Sequence, residues 1–216
     1  MKKFFATLAA ACLLSTTAFA AQSEIALPAP NLKTKLNVMD SLNQRKSDRQ
    51  FVEKDLSATQ LSKILWAANG INRPDGKRVN PAAMSVYSIE VYAVTREGIY
   101  LYVPEDNKLK LVAKGDYRMT TTTGQSFVGK AAVNLVFVET PAAWSNARHT
   151  PPPRERQISH AQIMVGAMTQ SVALAAQTEG LGNCVRGSIN RDEFRRVAKL
   201  DADKTILLAQ SVGFIK

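Results

Sequence analysis

Between Arg45 and Phe51 the chain reads Arg-Lys-Ser-Asp-Arg-Gln-Phe. Two arginines four residues apart, with a serine hydroxyl between them, can converge on one anion. Guanidinium groups make forked, charge-assisted hydrogen bonds to phosphate oxygens, and Ser47 adds a neutral donor. An ordinary solvated basic turn would carry the same residues. A second segment, Asn80-Pro81-Ala82-Ala83-Met84-Ser85, is rich in small side chains and would let backbone approach something flat or bulky. A third, Glu179-Gly180-Leu181-Gly182-Asn183-Cys184-Val185-Arg186-Gly187-Ser188, holds three glycines that free backbone amides to face a ligand. A helix C-cap accounts for Gly180 alone. His149 and His160 lie in different contexts with no further ligand at a metal spacing, so no metal site is expected. Cys184 is read as packing, and no residue is assigned a catalytic proton transfer.

These segments need elements to hold them. Residues 36–44 suit a short helix with Leu36, Met39 and Leu42 on one face. Ser57 is a candidate N-cap for a helix carrying Leu61, Ile64, Leu65 and Ala68 and stopping at Asn69-Gly70. Residues 86–95 alternate and predict a strand, which Arg96-Glu97-Gly98 turns into a second at 99–103; a third follows at 109–112. The nearly continuous apolar run 131–139 predicts a strand covered on both faces. Residues 158–179 predict the longest helix, 191–198 a short one, and 205–213 a last strand. The arrangement is α+β, a mostly antiparallel sheet flanked by helices, in one domain over 36–216.

The N-terminus predicts export. Lys2 and Lys3 precede an apolar run from Phe4 to Leu14, and Ala18-Phe19-Ala20 supplies small residues at a cleavage point, so 1–20 read as a signal peptide. The run is about half the ~20 residues of a membrane span, so no stable membrane insertion is expected after cleavage. Residues 21–35 lack periodicity and read as a mobile leader. The protein is then expected outside the cytoplasm, in the periplasm. The formal charge is +10, or +8 without Lys2 and Lys3. The cations are scattered, which argues against a nucleic-acid surface and leaves a phosphorylated ligand open. Only Cys184 remains beyond the signal, so packing alone must hold the fold.

Taken in order, the three segments resemble those of the nitroreductase-like flavoproteins, and the resemblance runs from about residue 40 to the C-terminus. Gln170 with Ala175-Ala176, and Gly115-Asp116-Tyr117-Arg118, resemble the branch that includes the dehydrogenases of thiazole/oxazole peptide maturation. The resemblance implies an FMN cofactor, a homodimer, and ping-pong transfer of electrons to or from a small molecule such as a quinone or nitroaromatic. It implies that Arg45, Ser47 and Arg49 hold the phosphate and ribityl end. Pro81, Ala82, Ala83 and Ser85 would face the partner's flavin, and Gln125 would be a polar contact to the ring. Val185, Arg186, Gly187 and Ser188 would run beside the flavin, with Lys216 as a third cation. The alanines at 82 and 83, and Ser85 where the family has asparagine, reduce side-chain bonding in that loop. Trp144 to Pro151 lacks the Lys-Tyr pair of azoline oxidation, which argues against that reaction. Export removes nicotinamide nucleotides as the ready donor, so the electron donor is left unnamed. A flavin-binding electron carrier without its own turnover, and a flavin-free interaction protein, are the rival readings.

Overall fold

The computed structural model describes residues 23–216; the signal peptide expected at 1–20 lies outside them. Seven strands form one sheet: β1 (Glu24–Ala26), β2 (Ile89–Val94), β3 (Gly98–Val103), β4 (Lys108–Lys114), β5 (Val133–Glu139), β6 (Gly182–Arg186) and β7 (Thr205–Gly213). Their spatial order is β1-β4-β3-β2-β5-β7-β6, and every neighbouring pair is antiparallel. Four α-helices accompany them: α1 (Val38–Gln44), α2 (Ala58–Asn69), α3 (Arg154–Thr178) and α4 (Arg191–Val197). The α+β class and the long helix are as expected.

Alternation along the central strands divides the core between two layers. Ile89, Val91, Ala93, Leu135 and Phe137 pack with Ile64 and Leu65 of α2 and Val165, Met168 and Val172 of α3. Tyr92, Val94, Val136 and Val138 face the other way, toward Phe194 and Val197 of α4. β5 is therefore buried along its whole length, which is why its sequence is apolar at successive positions rather than alternate ones.

Local chemistry sets the helix ends. The Ser57 hydroxyl accepts from the Gln60 amide while the Gln60 side chain accepts from the Ser57 amide, a reciprocal cap at the start of α2. The α3 helix begins four residues earlier than its apolar pattern. Arg154 at its first position donates to both oxygens of the fully buried Glu139, at 2.6 and 2.5 Å. It ends where Gly180 takes φ +65°.

Three expectations are corrected. Strand β1 lies inside the segment read as a mobile leader. It pairs Glu24 with Lys110, and Ser62 and Asn107 bond the Pro28 carbonyl beyond it at 2.6 and 2.9 Å. The strand expected from residue 86 begins at Ile89, because Met84 and Ser85 adopt φ of 54° and 58° and turn the chain in a 3-10 segment. The glycine-containing segment after α3, given no strand from sequence, forms strand β6 over Gly182–Arg186, paired with β7.

Candidate functional site

The site forms along the outer side of β6. Ser47 bridges Asn183 in parallel, and the Asp48 amide donates to the Asn183 carbonyl at 2.8 Å. Further on, Phe51 pairs with Ile215; the Val52 amide donates to Phe214 at 2.8 Å and the Lys216 amide to Gln50 at 3.2 Å. The basic heptapeptide thus lies between β6 and the C-terminal residues. This close packing needs Gly182, since a Cβ there would fall 2.2 Å from Ile215 Cγ2 and 2.8 Å from Asp48 Cβ.

A cleft of about 290 Å³ opens here, lined by Arg49, Gln50, Phe51, Ser126, Phe127, Lys130 and Lys216. The Phe51 and Phe127 rings stand 6.2 Å apart. It adjoins a hollow of about 380 Å³ to which Lys46, Ser47 and Asp48 also contribute. Four cations therefore surround this groove: Lys46, Arg49, Lys130 and Lys216. Asp48 is the carboxylate among them, 3.9 Å from Lys46. Among the described residues, Arg49, Lys130 and Lys216 enter no ion pair within 4.0 Å. Such a set of open donors attracts an anion.

The structure brings Ser47, Arg49 and Lys216 together at one cavity. Arg45 is exposed at the end of α1 and stands outside the lining. Gln125 immediately precedes the 3-10 segment Ser126–Lys130; its Oε1 is buried without a hydrogen-bond partner among the described residues. Val185 and Gly187 are exposed, and the Ser188 hydroxyl bonds that of Thr123, so the end of β6 meets the 118–125 turn. Pro81, Ala82, Ala83 and Ser85 lie elsewhere in the chain, in the turn that packs against α3. Asn80 there is structural: its amide donates to the Ala67 and Ala68 carbonyls at the end of α2 and accepts from Ser171.

The Arg186 side chain points inward, 4% exposed, away from the exposed Val185. Burial pushes its pKa down to about 10, so it stays charged at neutral pH. Cys184 is also buried, and burial pushes its thiol up against the opposing pull of Arg49 and Arg186. That fits its reading as packing, since the thiolate is the reactive form. His160 stacks on Trp144, ring centroids 6.2 Å apart, also a packing role.

The sequence reading missed Ser126, Phe127 and Lys130. They reach the groove on a short turn that precedes β5, and no periodicity marks such a turn. Once β6 is formed, the exposed Val185 places its neighbour Arg186 on the opposite, inner face.

Fold and groove together describe an α+β protein with a cationic cleft at a sheet edge, suited in donor type to a phosphate-bearing ligand. The chain belongs to the nitroreductase family, whose profile matches residues 42–214. It is 27% identical over 182 residues to a nitroreductase-family protein of Methanocaldococcus jannaschii, covering 80% of this chain and 89% of that one. A nitroreductase-family crystal structure from Ralstonia eutropha superposes with a TM-score of 0.82 at 33% identity over 90% of both chains. Two further structures share the fold. The Escherichia coli microcin synthetase complex with truncated pro-MccB17 gives a TM-score of 0.66 at 21% identity, covering 100% of this chain and 85% of that one. A Desulfovibrio desulfuricans protein in complex with FMN gives 0.60 at 18%, covering 84% and 88%. The chain is thus an oxidoreductase by family.

Proposed function

We propose that the protein is an exported, FMN-dependent oxidoreductase that works as a homodimer in the periplasm, exchanging electrons with a small molecule such as a quinone or nitroaromatic. The observation that carries this reading is the groove itself. Open cations from three separate chain segments meet at one place, and Gln125, next in the chain to Ser126 of that groove, has an Oε1 with no hydrogen-bond partner among the described residues. FMN fits that donor set: Arg49, Lys130 and Lys216 would hold its phosphate, with Ser47 and Ser126 as neutral donors. Gln125 Oε1, buried here, would accept from a ring N–H once its side chain turns toward the groove. Bound FMN supplies the two-electron redox chemistry. The protein's part is to hold it, to lay the backbone from Val185 to Ser188, where β6 ends, alongside, and to keep water out of the cleft.

A second copy of the chain supplies the missing wall in this reading. Val38, Met39 and Leu42 of α1, Met84, and Ile163 of α3 are exposed apolar residues, with Ile163 at 71% and Met39 at 71%. The α1 helix and the 83–85 turn both pack on α3, and this reading puts these side chains in one association face. A patch of this kind marks an association surface. Gly166 on the same helix has open space above it, allowing close approach. Pairing there would carry Pro81, Ala82, Ala83 and Ser85 toward the partner's flavin. Export leaves the cytoplasmic nicotinamide pool behind, so the electron donor belongs to the envelope.

The experiment is a spectrum of the purified protein after addition of FMN, compared with an Arg49→Ala/Lys216→Ala variant. Wild type should retain flavin through gel filtration and the double variant should emerge colourless. Each charge-assisted contact contributes on the order of 1.5–3 kcal/mol. Because Arg45 lies outside the lining, Arg45→Ala alone should retain most of the flavin. A wild-type protein that keeps no FMN, or a double variant that keeps all of it, defeats the reading.

A further inference from the structure

Arg186 is a buried cation whose hydrogen-bonding partners include no carboxylate. Its Nε donates to Ser211 Oγ at 3.1 Å. One terminal nitrogen donates to the Thr121 carbonyl at 2.5 Å and to the Ser188 carbonyl at 3.4 Å. The other donates to Thr121 Oγ1 at 3.2 Å and Asn134 Oδ1 at 3.1 Å. All five guanidinium N–H groups are thereby used, on neutral acceptors from four separate stretches of chain. Asn134 extends the connection: its Oδ1 also accepts from Ser211 at 2.6 Å, and its Nδ2 donates to the Val128 carbonyl at 3.1 Å.

The contacts share a destination. Thr121 ends the 3-10 turn Arg118–Thr121, and Val128 lies within Ser126–Lys130. The segment between them carries Gln125, Ser126 and Phe127, and Lys130 follows directly. Arg186 holds the near end through Thr121 and the far end through Asn134. Its contact to Ser188, with the Thr123–Ser188 hydroxyl pair, fixes the same segment to the end of β6.

We propose that Arg186 is the positioning residue of the groove, setting the 121–130 segment so that Ser126, Phe127 and Lys130 line it together with Arg49 and Lys216. The placement of a cation without a carboxylate follows from this role. A carboxylate would satisfy two N–H groups of the fork, whereas neutral acceptors let one side chain tie Thr121, Asn134, Ser188 and Ser211 at once. Lysine cannot substitute, because its three donors radiate from a single nitrogen. The role in ligand binding rests on the FMN reading; the role in holding the segment does not.

The test compares Arg186→Lys, which keeps the charge, with Arg186→Met, which loses it, and with Ser211→Ala, which keeps the arginine and removes one acceptor. Amide hydrogen exchange is followed in ligand-free protein, and FMN affinity by quenching of flavin fluorescence. Both Arg186 variants should exchange about tenfold or more faster over residues 121–130, with the β2–β5 amides unchanged, and should bind FMN about tenfold more weakly. Ser211→Ala should show a smaller increase confined to the same segment, so the role can be read even if the Arg186 variants fold poorly. Wild-type exchange over 121–130 in Arg186→Lys, or no local change in Ser211→Ala, overturns the proposal. If wild type binds no FMN, the functional reading fails while the exchange comparison still decides the role of Arg186.

Discussion

Arg49 and Arg186 both pull on the Cys184 thiol by their charge, and their environments are opposite. Arg186 is withdrawn from solvent and every N–H of its fork has a protein acceptor. Arg49 is exposed in the groove wall and enters no ion pair among the described residues. The same side chain is scaffold in one place and an open receptor in the other. What distinguishes them is whether the fold has already supplied acceptors. A cation whose donors are consumed internally contributes to shape. One left open contributes field and donors to whatever enters, and costs the fold little because water solvates it.

That contrast predicts a separation of stability from binding, testable first where the effect is largest. Arg154, like Arg186, is spent on the protein, since it neutralises the fully buried Glu139. Arg154→Met leaves that carboxylate without its cation, and urea denaturation should show a loss of about 3–5 kcal/mol. An unchanged midpoint would break the division. Next, Lys216→Ala, on the open side, should weaken FMN binding by roughly 1.5–3 kcal/mol in a fluorescence titration. Its unfolding free energy should move by no more than about 0.5 kcal/mol. The smallest effect concerns pH. Burial alone would raise the Asp116 carboxyl, but the hydrogen bonds and charge of Arg118 outweigh it and hold the group below 3.8. A depressed folded value means the contribution is complete above the unfolded pKa and is lost as pH falls through the folded one. Wild type should therefore lose slightly more stability than Asp116→Asn on acidification below about pH 4, measured as thermal midpoints in matched buffers.

Legibility followed the range of the interactions. The α2 helix was readable because Ser57, Gln60 and the 3-and-4 spacing of Leu61, Ile64 and Leu65 lie within a dozen residues. The β5 strand was readable because cover on both faces leaves a continuous apolar run. The β6 strand was not, since Gly182 and Asn183 look like loop residues until β7, some distance downstream, pairs with them. Of the groove, Ser47, Arg49 and Lys216 were visible as residue types near the termini of the domain. Lys130 and Ser126 were not, because their place depends on a turn held by distant hydrogen bonds. Arg186 was noticed for its place in the chain, and the inward direction of its side chain shows only once β6 is paired.

Strand β1 has a practical consequence. It is three residues long and covers only part of β4, which is seven residues long. With it in place, the edge that faces solvent is short, and exposed Lys110 and Lys114 decorate the strand behind it. A recombinant chain trimmed to start at residue 36, at the boundary that periodicity suggests, would strip that cover away. It would present a fresh row of unsatisfied amides and carbonyls to its neighbours, an invitation to sheet-to-sheet aggregation. Residues 23–28 are therefore worth keeping in any truncated version.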